Sequence, residues 1–195
     1  MTTLWATGTA PDGDDERSTG VQWYGSRLVL RSMGAEHARS LADYRSDPEV
    51  ARHQRWDPPY TLDQARAFVA TTAGLDPLVP GRWVHLAIEA HGEHVGDIGV
   101  RGDDEGRQAR VEVTIARPWQ QAGLATEALT TVLRRLFAAG AHRVEARCDT
   151  DDIAAIRLLE RVGMRREAEL WSAAFRHGEW IDCYSYALLA SEWRA

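Results

Sequence analysis

Gln120, Gly123 and Ala125 stand at the spacing Gln-x-x-Gly-x-Ala, where one apolar rhythm gives way to another. Upstream, Val111, Val113 and Ile115 alternate with Glu112 and Thr114, the period-two pattern of a half-buried strand. Downstream, Ala125, Ala128, Leu129, Val132, Leu133 and Leu136 recur at helical spacing until Gly140, which predicts a helix over roughly 123–139. The first backbone N–H groups of such a helix lack partners, and its dipole puts partial positive charge at the loop. A phosphate satisfies both. Gly123 lets main chain approach an anion closely, and Ala125 keeps side-chain bulk away. No GxxxxGK[ST] or GxGxxG is present, so the known nucleotide loops do not account for this cradle.

Other chemistries find less support. No GxSxG elbow or triad spacing is visible, and neither cysteine has an activating neighbourhood. His91 and His94 straddle a turn without a third ligand, so His85, His91 and His94 are expected to face solvent rather than to hold a metal. The chain has 195 residues, enough for one well-buried domain. Its net charge of −6 disfavours nucleic-acid binding and suits cationic amines. Cys148 and Cys183 are isolated, with neither a signal peptide nor an apolar run long enough to span a bilayer, so a reduced, cytoplasmic protein without membrane contact is expected.

Residues 1 to about 22 lack apolar periodicity and are expected to form a mobile tail, with a single domain over 23–195. Leu4 and Trp5 are its apolar exceptions. Arg27 to Arg31 reads as a first strand, and Ala35 to Tyr44 as a helix. Asp47-Pro48-Glu49 starts a short second helix, and Thr61-Leu62-Asp63-Gln64 opens a third with a capping box. Trp83–Glu89 and His94–Val100 form a hairpin about His91-Gly92, and a third strand spans roughly 109–116. A strand at 142–147, a helix from about 152 to 162 and two closing strands follow, the last over about 180–189. This order predicts an α+β fold, a mixed central sheet of about seven strands flanked by helices.

The same order, with a Gln-x-x-Gly-x-Ala junction after the fourth strand, resembles the GNAT superfamily of acetyl-coenzyme A dependent N-acetyltransferases from about 27 to 193. Gly123-Leu124-Ala125-Thr126-Glu127-Ala128 resembles its coenzyme helix. Ala154 to Glu167, together with Gly178-Glu179-Trp180 and Tyr186 to Leu189, is similar to the branch acting on the N-termini of ribosomal proteins. The resemblance implies acetyl-coenzyme A as cosubstrate and no metal. It lays the coenzyme's pantetheine arm along Val113, Thr114 and Ile115 and its pyrophosphate over Gln120, Gln121, Ala122, Gly123, Leu124, Ala125 and Thr126, with Asp152 and Arg157 alongside. It also implies an acceptor pocket walled by His53, Trp56 and Tyr60, with Glu112 as the base. On spacing alone Glu112 is equally an ordinary strand carboxylate, and Trp56 equally a core residue.

Three residues depart from the family pattern: Asp152 stands for the usual Asn, Ala155 for a Ser, and Leu159 for an acid Tyr. The usual proton donors to the departing sulfur are therefore absent, and Tyr184 and Tyr186 on the last strand are the candidate substitutes. A thiol of pKa about 8.5 leaving as thiolate near pH 7 costs only about 2 kcal/mol. The resemblance thus implies direct attack of a primary amine on the thioester in a ternary complex. The acceptor stays open between a protein N-terminal α-amine and a small-molecule amine, and a homodimer is allowed for. The alternative is a coenzyme A binding or sensing protein whose acetyltransferase site is degenerate.

Overall fold

Strand pairing assembles one sheet from segments that the sequence scatters over the whole chain. In the computed structural model, which describes residues 20–103 and 105–194, the strands are β1 (Gln22–Tyr24), β2 (Leu28–Ser32), β3 (Val84–Ala90), β4 (Glu93–Gly102), β5 (Gln108–Ile115), β6 (Arg143–Asp149), β7 (Arg165–Arg176) and β8 (Glu179–Leu189). They lie in the order β1-β2-β3-β4-β5-β6-β8-β7, and every pair is antiparallel except β5 with β6. The β3–β4 turn uses His91 and Gly92 with φ of 55° and 81°, the backbone twist that a two-residue hairpin requires.

The helices are α1 (Ala38–Arg45), α2 (Pro48–Ala51), α3 (Leu62–Thr72), α4 (Leu124–Ala138) and α5 (Ile153–Arg161). Asp47 caps α2 by accepting from the Glu49 N–H at 2.9 Å, and Thr61 and Gln64 form the reciprocal box that starts α3. The α+β layout agrees with the sequence, with an eighth strand, the three-residue β1, added at the edge. Residues 1–19 of the expected tail, with Leu4 and Trp5, lie outside the described residues. Gln22, at the boundary assigned to that tail, pairs with Arg31, and Val21 packs on the core.

Two hydrophobic clusters cover opposite faces of the sheet. Leu129, Val132, Leu133 and Leu136 of α4 pack on Leu30, Leu86, Ile88 and Ile98, while Met33, Leu41, Val50 and Val69 from the α1–α3 side enclose Ala87. The central strands are consequently buried on both faces, and polar side chains there lose water. His85 is the consequence that corrects the sequence reading. Expected to face solvent, it is only 7% exposed, because α3 covers it with Phe68 at 4.8 Å between ring centroids. His91 is exposed and stacks on Trp119, whereas His94 is half-buried with Ser40 Oγ at 2.6 Å.

Burial, reinforced by the neighbouring His37, lowers the pKa of His94 to about 4. An unfolded histidine titrates near 6.5, so between about pH 6.5 and pH 4 the unfolded chain binds more protons than the folded one. Stability is therefore expected to fall with pH through that window, this residue contributing a loss of roughly 3 kcal/mol. Thermal melts of wild type and His94→Gln across pH 4–7.5 check it. The variant should show a shallower slope, and an identical slope would assign the pH dependence to other groups.

The feature that positions the site is an interrupted pairing. β5 and β6 pair only over Gln108–Arg110 with Arg143–Glu145, yet β5 runs on to Ile115 and β6 to Asp149. The two strands splay apart beyond that point. Main-chain groups on their facing edges are left to water or to a ligand.

Candidate active site

Two clefts open at the splay. The first, of about 760 Å³, is bounded by the end of β5, the loop into α4 and the start of α5. Val113, Thr114, Ile115, Gln120, Gln121, Gly123, Leu124, Ala125, Thr126, Asp152 and Arg157 all line it. Ala122 does not; its carbonyl accepts from Arg27 Nη1 at 3.0 Å.

Local chemistry explains the cradle's shape. Gln120 folds back so that Nε2 donates to the Ile115 carbonyl at 3.0 Å, tying the loop to the strand end. Gln121 and Gly123 have φ of 62° and 81°, curling the chain into α4. Gly123 is the helix N-cap and offers no side-chain acceptor, so the first-turn N–H groups stay open to an anion. Arg27 latches the junction from β2's entrance: its Nε donates to Glu127 Oε2 at 2.8 Å and its backbone N–H to Glu127 Oε1 at 2.6 Å. Sequence reasoning missed this latch, since its partners lie about a hundred residues away, and missed the cations Arg52 and Arg161 that also line the cleft.

The second cleft, of about 560 Å³, is lined by Glu112 with Trp56, Phe68, Trp83 and Phe175, and also by Leu129 of α4 and Leu159 of α5. The two clefts share His53, Gln54, Val113, Asp152, Ala155 and Leu158. Molecules held in the two clefts would therefore meet at that junction.

Trp56 is both wall and packing residue. Its indole N–H donates to the Arg45 carbonyl at 3.0 Å, and the Arg45 guanidinium lies 4.1 Å from its ring centroid. Tyr60 stands behind it, ring to ring at 6.1 Å, and lines neither cleft. His53 Nδ1 is 3.0 Å from Asp149 Oδ2 and 3.7 Å from Asp151 Oδ1, a group with metal-ligand spacing. Arg176 pairs with Asp149 and Arg52 approaches Asp151 at 3.5 Å, so these carboxylates already carry counter-charges.

The proton-donor candidates are not brought to the junction. Tyr184 sits opposite Cys148 and Glu169 with the Arg166 guanidinium 4.4 Å over its ring, and lines neither cleft. Tyr186 is fully buried, its hydroxyl donating to Glu160 at 3.3 Å. Asp152 reaches both clefts, but one carboxylate oxygen is occupied in capping α5, accepting from the Ala155 N–H at 2.9 Å. Burial pushes the Cys148 thiol up to about 12, so it is no nucleophile.

Glu112 is backed by an unforeseen polar cluster. Its Oε1 lies 3.5 Å from His85 Nε2, while His85 Nδ1 is 2.9 Å from Asp97 Oδ2. Asp97 also accepts from Arg45 Nη2 at 3.2 Å and from the Tyr44 hydroxyl. Burial opposes its ionisation, but the Arg45 charge and the hydrogen bonds from His85 and Tyr44 win, holding the carboxyl below the usual range.

Comparison with known proteins bears on the family and the fold. The family model for the acetyltransferase (GNAT) domain matches residues 27–165. The uncharacterized N-acetyltransferase p20 of Bacillus licheniformis is 27% identical over 172 residues, covering 87% of this chain and 97% of that protein. Among solved structures, the ribosomal α-N-protein acetyltransferase RimL superposes with a TM-score of 0.79 at 17% identity, over 93% of this chain and 99% of its own. The Microcin C7 self-immunity acetyltransferase MccE, in complex with acetyl-CoA and AMP, gives 0.76 at 15% identity, over 84% and 93%.

Proposed function

Because this chain belongs to the GNAT family and is an acetyl-coenzyme A dependent N-acetyltransferase, we propose that acetyl-coenzyme A lies in the first cleft and that a primary amine enters the second and attacks it directly. The observation that carries this reading is the shared junction at the β5–β6 splay, where Val113 belongs to both clefts. The pantetheine arm adds to the free edge of β5. Its diphosphate rests on the open N–H groups of α4, with Arg157 and Arg161 supplying charge.

Acyl transfer needs a neutral amine. An α-amino group of pKa about 7.8 is roughly 14% neutral at pH 7, a penalty of about 1 kcal/mol, whereas a lysine-like amine of pKa about 10.4 incurs about 4.6 kcal/mol. Glu112, on the wall of the second cleft, takes the proton as nitrogen bonds to the thioester carbon and the C–S bond breaks. The sulfur leaves as thiolate and takes its proton from solvent, consistent with Ala155 and Leu159 offering none.

RimL and MccE act, by their names, on a protein α-amine and in self-immunity, and the aromatic wall of Trp56, Trp83 and Phe175 suits either a peptide N-terminus or a small amine. Ala155, which lines both clefts, and Leu159, which lines the second, have no proton to give, and this is the one observation on the side of a second reading, coenzyme binding without turnover. Free-thiol release from acetyl-coenzyme A separates the two. Peptides beginning with alanine or serine, spermidine and an aminoglycoside form the panel. Stimulation by at least one amine is expected, and coenzyme binding with no stimulated release would select the binding protein.

A further inference from the structure

Gly99 occupies an unusual place in the sheet. It is the register partner of His85 on β3 and of Glu112 on β5, so the three residues form one row across three strands. A Cβ at Gly99 would sit 2.7 Å from His85 Cε1 and 3.0 Å from Glu112 Cγ. Only the missing side chain lets the imidazole and the carboxylate reach toward each other over the central strand. Asp97, two residues along β4, takes the other ring nitrogen.

Hydrogen-bond inventory sets the direction of this row. Asp97, ionised and paired with Arg45, can only accept, so His85 Nδ1 carries a hydrogen and donates it. Nε2, directed at Glu112, is then the nitrogen that gains or loses a proton. The imidazole has little freedom to do otherwise. Phe68 meets it edge-on at 4.8 Å, Trp83 lies 6.1 Å away, and Thr72 Oγ1 bridges the His85 backbone, accepting from its N–H at 2.6 Å. The charged groups around it are Asp97 and Arg45 on the buried side and Glu112 at the cleft.

We propose that His85, oriented by Asp97, is a positioning residue for Glu112 and receives the proton that Glu112 takes from the attacking amine. The inference rests on the reading of Glu112 as base. The amine N–H proton passes to a Glu112 oxygen as the C–N bond forms, then from Oε1 to His85 Nε2. This leaves an imidazolium paired with Asp97 and restores the Glu112 carboxylate. After the acetamide departs, the proton returns through Glu112 to water. No other reactant is needed.

Two measurements test it. In protein labelled with ¹⁵N-histidine, long-range ¹H–¹⁵N correlation, assigned by the resonances lost in His85→Gln, should show the Nδ1–H tautomer for neutral His85. Glu112→Gln should move the Nε2 resonance while leaving Nδ1 nearly still. An Nε2–H tautomer, or an Nε2 resonance indifferent to Glu112→Gln, would overturn the proposal without an acceptor being known.

In the thiol-release assay with the most active amine of the panel, His85→Gln should lower kcat by roughly tenfold to hundredfold, a part of the usual general-base effect, with KM for acetyl-coenzyme A unchanged. In a Glu112→Gln background the same substitution should cost less than twofold, because a residue acting through Glu112 has nothing left to act on. An equal loss in both backgrounds would make His85 merely structural. Wild-type turnover in Glu112→Gln itself would refute the base, a failure distinct from that of the relay.

Discussion

Titration of acetyl-coenzyme A into folded Gly123→Trp protein is expected to show no measurable heat of binding under conditions where wild type saturates, an affinity loss of at least about a hundredfold, or more than about 2.7 kcal/mol. Gly123 holds φ at 81°, where a bulky side chain adds about 1–2 kcal/mol of strain, and its Cβ would lie 3.2 Å from Arg27 Nη2 in the latch. The larger effect is on the ligand. Tryptophan bulk enters the first cleft at the N-terminus of α4 and displaces the N–H groups meant for the diphosphate. Gly123 is only half-buried at a helix start, so circular dichroism should report an intact fold. Unchanged affinity in the folded variant would move the coenzyme site elsewhere.

Glu112→Gln is expected to leave coenzyme affinity nearly unchanged and to lower turnover at pH 7 by about a hundredfold to ten-thousandfold. The side chain lines the second cleft and not the first, which is why binding and chemistry should separate. Only deprotonation is impaired, so the deficit should shrink as pH approaches the amine's own pKa. The pH profile with a high-pKa amine such as spermidine is the discriminating measurement, since its penalty at pH 7 is largest. Equality with wild type there would return Glu112 to an ordinary strand carboxylate.

Much of this protein is legible from local pattern. Asp47 and Thr61 cap the helices their neighbours announce, the His91-Gly92 turn closes its hairpin, and alternation through Val111, Val113 and Ile115 gives β5 its register. The coenzyme cradle is legible for the same reason, being built from one continuous stretch. What escapes is whatever depends on strands meeting from far apart. The splay exists because β6 pairs with β5 for only three residues, a tertiary fact with no local signature. His85 reads as a lone strand histidine, and its burial follows from α3 covering a face that the β3 sequence itself does not mark. Asp97 is similar, since nothing around Gly96 and Ile98 announces the Arg45 that neutralises it from α1. Tyr60 follows from the family resemblance and Tyr184 from its place on the last strand, and neither lines a cleft.

The initial-velocity pattern of thiol release, with acetyl-coenzyme A and the most active amine varied together, tests direct transfer at the splay most directly. Lines that intersect in double-reciprocal form, with steady thiol release that requires the amine, are the expected result for two ligands meeting at the junction of the clefts. Parallel lines, accompanied by a burst of thiol before any amine is added, would mean an acetylated enzyme and would contradict attack within a ternary complex.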